Sequence, residues 1–178
     1  ASFCREELIN FSQHWEAVKH ILDIKSDLKY CYTGRTKIHK KWCKTYNIPE
    51  ERIDFLGWLD KPHEQMRNVA FLLDGPTLGH GLMAFEAIAA GIPILSPKSG
   101  HGAYDNFLLK NEKGKTSIQN RHLADVVRFD DSNSAVAGAA ALLESSTNEE
   151  CATKLMKLWS RDRNSQSDFH HFVQLMQL

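Results

Sequence analysis

Residues 69–97 read VAFLLDGPTLGHGLMAFEAIAAGIPILSP, and the punctuation of this stretch decides the fold. Val69 to Leu73 is a continuous apolar run, short enough for a strand covered on both faces, and Asp74-Gly75-Pro76 stops it with turn chemistry. At Gly79-His80-Gly81 the missing β-carbons let a ligand approach the backbone, while the first N–H groups of the following helix point outward without intrahelical partners. Phosphate suits such a place, because a helix N-terminus carries partial positive charge. Helical spacing runs from Leu82 to Ala90, Gly91 ends it, and Ile92-Pro93-Ile94-Leu95 opens the next strand with its proline at the start. The unit is βαβ, which requires parallel strands.

Glu86 stands out in that helix. It lies four residues after Leu82 and seven after Gly79, on the helical face of the glycine turn. At 1.5 Å of rise per residue its carboxylate is about 7 Å along the axis from Gly81, the separation of a diphosphate from the ribose of the same nucleotide. A carboxylate accepts hydrogen bonds from both hydroxyls of a vicinal diol. The plain alternative is a solvated helix glutamate; its apolar and small neighbours favour ribose binding.

Outward from this unit, strands and helices alternate. Ala1-Ser2-Phe3-Cys4 reads as the tail of a strand, from which a preceding piece of chain is expected. Leu8, Phe11, Trp15, Val18 and Leu22 mark one face of an amphipathic helix over Glu6–Lys25. Leu28–Thr33 is a strand ended by Gly34-Arg35, Lys37–Tyr46 a basic helix, and Arg52–Gly57 a third strand. A short helix at Pro62–Asn68 leads into the central unit. Beyond Pro97 the pattern predicts a helix near 103–109, a last strand at Val126–Phe129, and helices at Ser134–Glu144 and Glu149–Ser160. The expected fold is α/β: a Rossmann-like doubly wound parallel sheet with helices on both faces over residues 1–161, and a helical C-terminal extension at 162–178.

Bulk properties narrow the function. The 178 residues carry a formal net charge of zero with scattered basic residues, so neither a nucleic-acid footprint nor a polybasic membrane patch is expected. Four cysteines without a C-x-x-C pair point to reduced thiols and a cytoplasmic setting. The nine histidines show no metal-ligand spacing. No run approaches the length of a membrane span and no signal peptide opens the chain.

Other motifs compete. Gly79-His80-Gly81-Leu82-Met83-Ala84 fits G-x-G-x-x-G/A, the mark of an NAD-binding oxidoreductase domain, but the acidic residue expected at the end of the next strand is replaced by Ser96-Pro97. Gly114-Lys115-Thr116 imitates a P-loop end, with Leu109 in place of the upstream glycine. There is no D-x-D triplet, G-x-S-x-G elbow or H-E-x-x-H motif.

Ser-Phe-Cys-Arg at residues 2–5, Tyr-Thr-Gly-Arg at 32–35, Phe-Leu-Gly-Trp at 55–58 and the ordered run from Gly-His-Gly to Glu-Ala-Ile-Ala-Ala-Gly-Ile-Pro occur in one series. With these, the chain resembles the C-terminal, donor-binding half of GT-B-fold glycosyltransferases, in the manner of bacterial polysaccharide and protein glycosyltransferases, over roughly residues 2–130. The resemblance implies a nucleotide-sugar substrate, often UDP-linked, with no resident cofactor or metal, and a missing N-terminal domain of the same chain that binds the acceptor. It implies that Gly79, His80, Gly81 and Leu82 cradle the diphosphate, that Glu86 holds the ribose, that Arg5 and Arg35 neutralise phosphate charge, and that Gly57 and Trp58 lie against the base. Leu78 stands where many retaining relatives carry a first glutamate, and Leu8 and Asn10 occupy the neighbourhood of their phosphate-binding lysine. A GT-like interaction module without catalysis is therefore the second alternative, and no catalytic base is assigned.

Overall fold

The computed structural model describes residues 1–76, 82–98 and 128–161; the expected glycine turn at 79–81, the helix near 103–109 and the extension at 162–178 lie outside them. Strand β1 (Tyr30–Thr33) pairs in parallel with β2 (Ile53–Gly57), Tyr30 opposite Ile53, with a bulge between Tyr32 and Thr33. Strand β3 (Leu72–Leu73) pairs in parallel with β4 (Ile94–Pro97), which pairs in parallel with β5 (Arg128–Phe129).

The N-terminal residues join these two groups. Ser2 N–H donates to Cys31 O at 2.9 Å and Thr33 N–H to Ser2 O at 3.1 Å, a parallel bridge to Tyr32. On the other side Ala1 nitrogen donates to Phe71 O at 3.0 Å and Leu73 N–H to Ala1 O at 2.7 Å, again a parallel pattern. Ser2 Oγ adds a bond to Leu73 O at 2.6 Å. The line-up is β2-β1-(1–3)-β3-β4-β5. Numbered along the chain with residues 1–3 as the first strand, that is 3-2-1-4-5-6, the Rossmann order, whose direction reverses between residues 1–3 and β3.

Helices pack around the sheet. Helix α1 (Ser12–Leu22) touches α2 (His39–Tyr46), and it packs on α5 (Ser132–Leu143), reached through the short α3 (Pro62–Met66) and through α4 (Leu82–Ala89). Helix α5 packs against β4 and β5. Helix α4 contacts α3 and α6 (Ser145–Arg161). The core centres on fully buried Trp15, Tyr32, Leu72, Leu73 and Leu95. Trp15 sets its ring edge-on to Tyr30 and Tyr32, at centroid distances of 5.5 and 5.8 Å. Arg52 ties the α1–β1 connection to β2 by donating to the carbonyls of Leu22, Lys25 and Leu28.

Two expectations are corrected. The single helix over Glu6–Lys25 is a 3-10 turn (Glu6–Leu8) followed by α1, because the Glu6 carboxylate turns inward to accept backbone bonds instead of riding a solvated helix face. Basic residues are not merely scattered: Lys40, Lys41 and Lys44 are all exposed on α2. Most of the other described elements are shorter than expected, β4 runs two residues further to Pro97, α6 spans Ser145–Arg161 where Glu149–Ser160 is expected, and α5 starts two residues early because Asp131 caps it, accepting from Ser134 N–H at 2.8 Å.

Candidate functional site

In open parallel sheets ligands bind beyond the carboxyl ends of the strands, where the strand order reverses. Here that crevice lies between Cys4-Arg5-Glu6, after the first strand, and Asp74-Gly75-Pro76, after β3; Gly79, His80 and Gly81, expected to form the glycine turn, lie outside the described residues. Leu82 is the first residue of α4. The ends of β1 and β2 supply Gly34-Arg35 and Gly57-Trp58 on the neighbouring rim.

Glu6 organises this rim, a role that sequence reasoning misses. It is 7% exposed and accepts from Arg35 N–H at 2.9 Å, Thr36 N–H at 3.1 Å and Thr36 Oγ1–H at 2.6 Å. Burial alone would raise its pKa, but the Thr36 hydroxyl and the Arg35 and Thr36 amides outweigh it and hold the carboxyl below its usual range. Gly34, at φ +155°, permits the approach: a β-carbon there would sit 2.6 Å from Glu6 Oε2. Thr33 Oγ1–H donates to Cys4 O at 3.0 Å and Gly34 N–H to Gly57 O at 3.1 Å, so three consecutive strand ends are stapled together.

Onto this frame the structure brings several expected residues. Arg5 is exposed in the loop after the first strand. Arg35 is exposed, with its guanidinium carbon 5.4 Å from the centroid of the Trp58 ring. Trp58 itself is 64% exposed. Gly57 has φ +70° with open space where a β-carbon would project, so the turn presents backbone and indole outward. Glu86 lies in α4, half-buried, with Oε2 shut off from solvent, so it is not the freely solvated glutamate of the plain alternative.

Neighbouring groups limit the chemistry. Burial, reinforced by Asp74, Glu6 and Glu7, pushes the Cys4 thiol up to about 12, so it is no nucleophile at neutral pH. A cavity of about 320 Å³ at the ends of β3, β4 and β5 is lined in part by His14, Glu16, Asp74, Asp130 and Asp131, of which Asp130 pairs with Lys98 and Asp131 caps α5. Among the described residues no group of three or more His, Cys, Asp or Glu could hold a metal ion, and no helix is long and apolar enough to cross a membrane. The first βα turn, Cys4-Arg5-Glu6-Glu7-Leu8, contains no glycine, so the usual position of the dinucleotide fingerprint does not carry it.

Comparison of folds agrees with the strand order. The C-terminal domain of a glycosyl transferase group 1 family protein, LpcC from Francisella tularensis, superposes with a TM-score of 0.63 at 16% identity, covering 90% of this chain and 84% of that one. The fold is that of a GT-B glycosyltransferase C-terminal domain. A TarM variant from S. aureus, solved in complex with Fondaparinux, alpha-GlcNAc-glycerol and UDP, gives a TM-score of 0.66 at 12% identity over 98% of this chain. WaaG, a glycosyltransferase involved in lipopolysaccharide biosynthesis, gives 0.62 at 13% over 91%. This chain spans 35% of the length of TarM and 43% of that of WaaG. By sequence alone it matches no family model and no curated protein.

Proposed function

We propose that this chain is the sugar-donor domain of a glycosyltransferase and holds a nucleoside diphosphate sugar, UDP-linked, at the carboxyl edge of its sheet. The observation that carries the reading is the meeting of Arg5, the Arg35–Trp58 pair and the lead into the glycine turn around the point of strand reversal. In this reading Gly79, His80, Gly81 and Leu82 offer N–H groups to the diphosphate, Arg5 and Arg35 offset its charge, Glu86 takes the ribose hydroxyls, and the base lies on Gly57 and Trp58. The TarM structure with UDP supports that choice of nucleotide.

Chemically, the domain assists departure of the nucleoside diphosphate. Helix N–H groups and Arg5 meet negative charge growing on the leaving phosphate as the glycosidic bond breaks, a task that needs neither metal nor resident cofactor. The acceptor and any general base belong in this reading to an N-terminal domain of the same protein, so the isolated chain binds nucleotide and transfers sugar poorly or not at all. The four free cysteines fit a cytoplasmic location.

Titration calorimetry with UDP and NAD tests the reading. UDP binding that falls at least about tenfold in Glu86→Ala, with circular dichroism unchanged, is the expected result, corresponding to loss of a charge-assisted bond. NAD binding instead would restore the oxidoreductase alternative, and binding of neither would leave an interaction module.

A further inference from the structure

We propose that the outward face of α2 docks the protein onto an anionic lipid bilayer. Between Gly34 and Pro49 the sequence RTKIHKKWCKTYNI holds Arg35, Lys37, Lys40, Lys41 and Lys44 and not one acidic residue, in a chain whose formal net charge is zero. His39, Trp42 and Cys43 are buried on one side of α2, which leaves Lys40, Lys41 and Lys44 on an outward arc of about 100°. All three are exposed, as is Lys37 just before the helix, and none of the four pairs with a carboxylate among the described residues. Positive charge that no described carboxylate pairs on one face is a field for an anionic partner.

The form of the face selects the partner. Its charges on the helix are lysines, compact and strongly hydrated, without the planar fork with which arginine reads phosphates and bases one at a time. They suit the diffuse potential of anionic headgroups. Trp42 and Tyr46 lie on the other side of α2, turned toward residues 10–12. Trp42 Nε1–H donates to Asn10 Oδ1 at 2.9 Å and Tyr46 O–H to Ser12 O at 3.1 Å, clipping the segment around Phe11 to the helix. Phe11 is 38% exposed there, Tyr46 is half-buried, and Lys41 lays its ammonium 4.3 Å from the Trp42 ring centroid. The outward face is therefore a face of lysine charge, which engages headgroups at the bilayer surface without inserting a ring. Nucleic acid is the poorer fit, since its binders carry a basic excess over the whole domain. None of these residues belongs to the proposed nucleotide site except Arg35, and the inference does not depend on that site.

Vesicle flotation at low and high salt tests it, with phosphatidylcholine alone and with an equal mixture of phosphatidylcholine and phosphatidylglycerol. The chain is expected to float only with the anionic vesicles and to be released by high salt. Combined Lys40→Glu, Lys41→Glu and Lys44→Glu should cut binding by more than about a hundredfold, while Lys29→Glu, Lys61→Glu and Lys154→Glu together keep most of it. If the first set fails to fold, Lys→Gln at the same positions serves, with a smaller loss expected. Absence of flotation at low salt, equal loss in both triple variants, or tighter binding to single-stranded DNA or polyglutamate than to the vesicles overturns the proposal.

Discussion

Glu6 shows how one side chain sets the shape of the rim. Its carboxylate holds the Arg35 and Thr36 amides, so the backbone that carries the Arg35 guanidinium toward Trp58 is fixed by an acid belonging to a different strand end. Glu6→Gln keeps the size but puts an amide donor in an acceptor-only position, and is expected to lower unfolding stability by about 1–3 kcal/mol in urea denaturation. Gly34→Ala would force its β-carbon to 2.6 Å from Glu6 Oε2 at a positive φ, and should cost stability and weaken UDP binding together. Trp58→Ala, on an indole already 64% exposed, should leave the melting temperature nearly unchanged and weaken UDP binding by about tenfold, since stacking on a base is worth about 1–3 kcal/mol. A large drop in melting temperature with unchanged UDP affinity would instead make the indole a packing residue.

Among the elements, legibility in the sequence followed punctuation. The β3–α4–β4 unit was readable because an apolar run, glycines and a proline fall in an order that few other structures tolerate. The role of Glu6 was not readable: Leu8, Phe11 and Trp15 place it at the start of a plausible amphipathic helix, and only the tertiary approach of Thr36 draws it inward. The cationic face of α2 was half readable, since the lysines are evident but their shared outward direction depends on which side His39, Trp42 and Cys43 bury. The resemblance points to Arg35 and Trp58 one by one; the bond between Gly34 N–H and Gly57 O sets their two turns side by side. At the start of α5, Asp131 and Ser134 satisfy each other's N–H groups, so Asp131→Ala should lower the melting temperature and fray the first turn, visible as faster amide exchange at Ser134.

For the molecule as a whole, acid should act in two stages. Burial, with Lys37 and Lys40 adding to it and Glu50 opposing, holds the His39 imidazole below its usual pKa, so the folded protein keeps it neutral. As pH falls below about 6.5 the unfolded chain takes up a proton that the fold resists, and stability begins to drop. Glu6 acts lower: its folded pKa is depressed, its contribution is complete above the usual glutamate range near 4, and it is lost as pH falls through the folded value. Urea unfolding across pH should show the upper limb flattened in His39→Gln and the lower limb flattened in Glu6→Gln. The seam at residues 1–3 has a further consequence for cooperativity. Amides of Thr33 and Leu73 are satisfied by Ser2 and Ala1 from opposite sides, so among the described residues the two halves of the sheet are hydrogen-bonded through one three-residue thread. Hydrogen exchange at these two amides therefore reports whether the halves open as one body or part along that thread, and ligand bridging the crevice should slow both together.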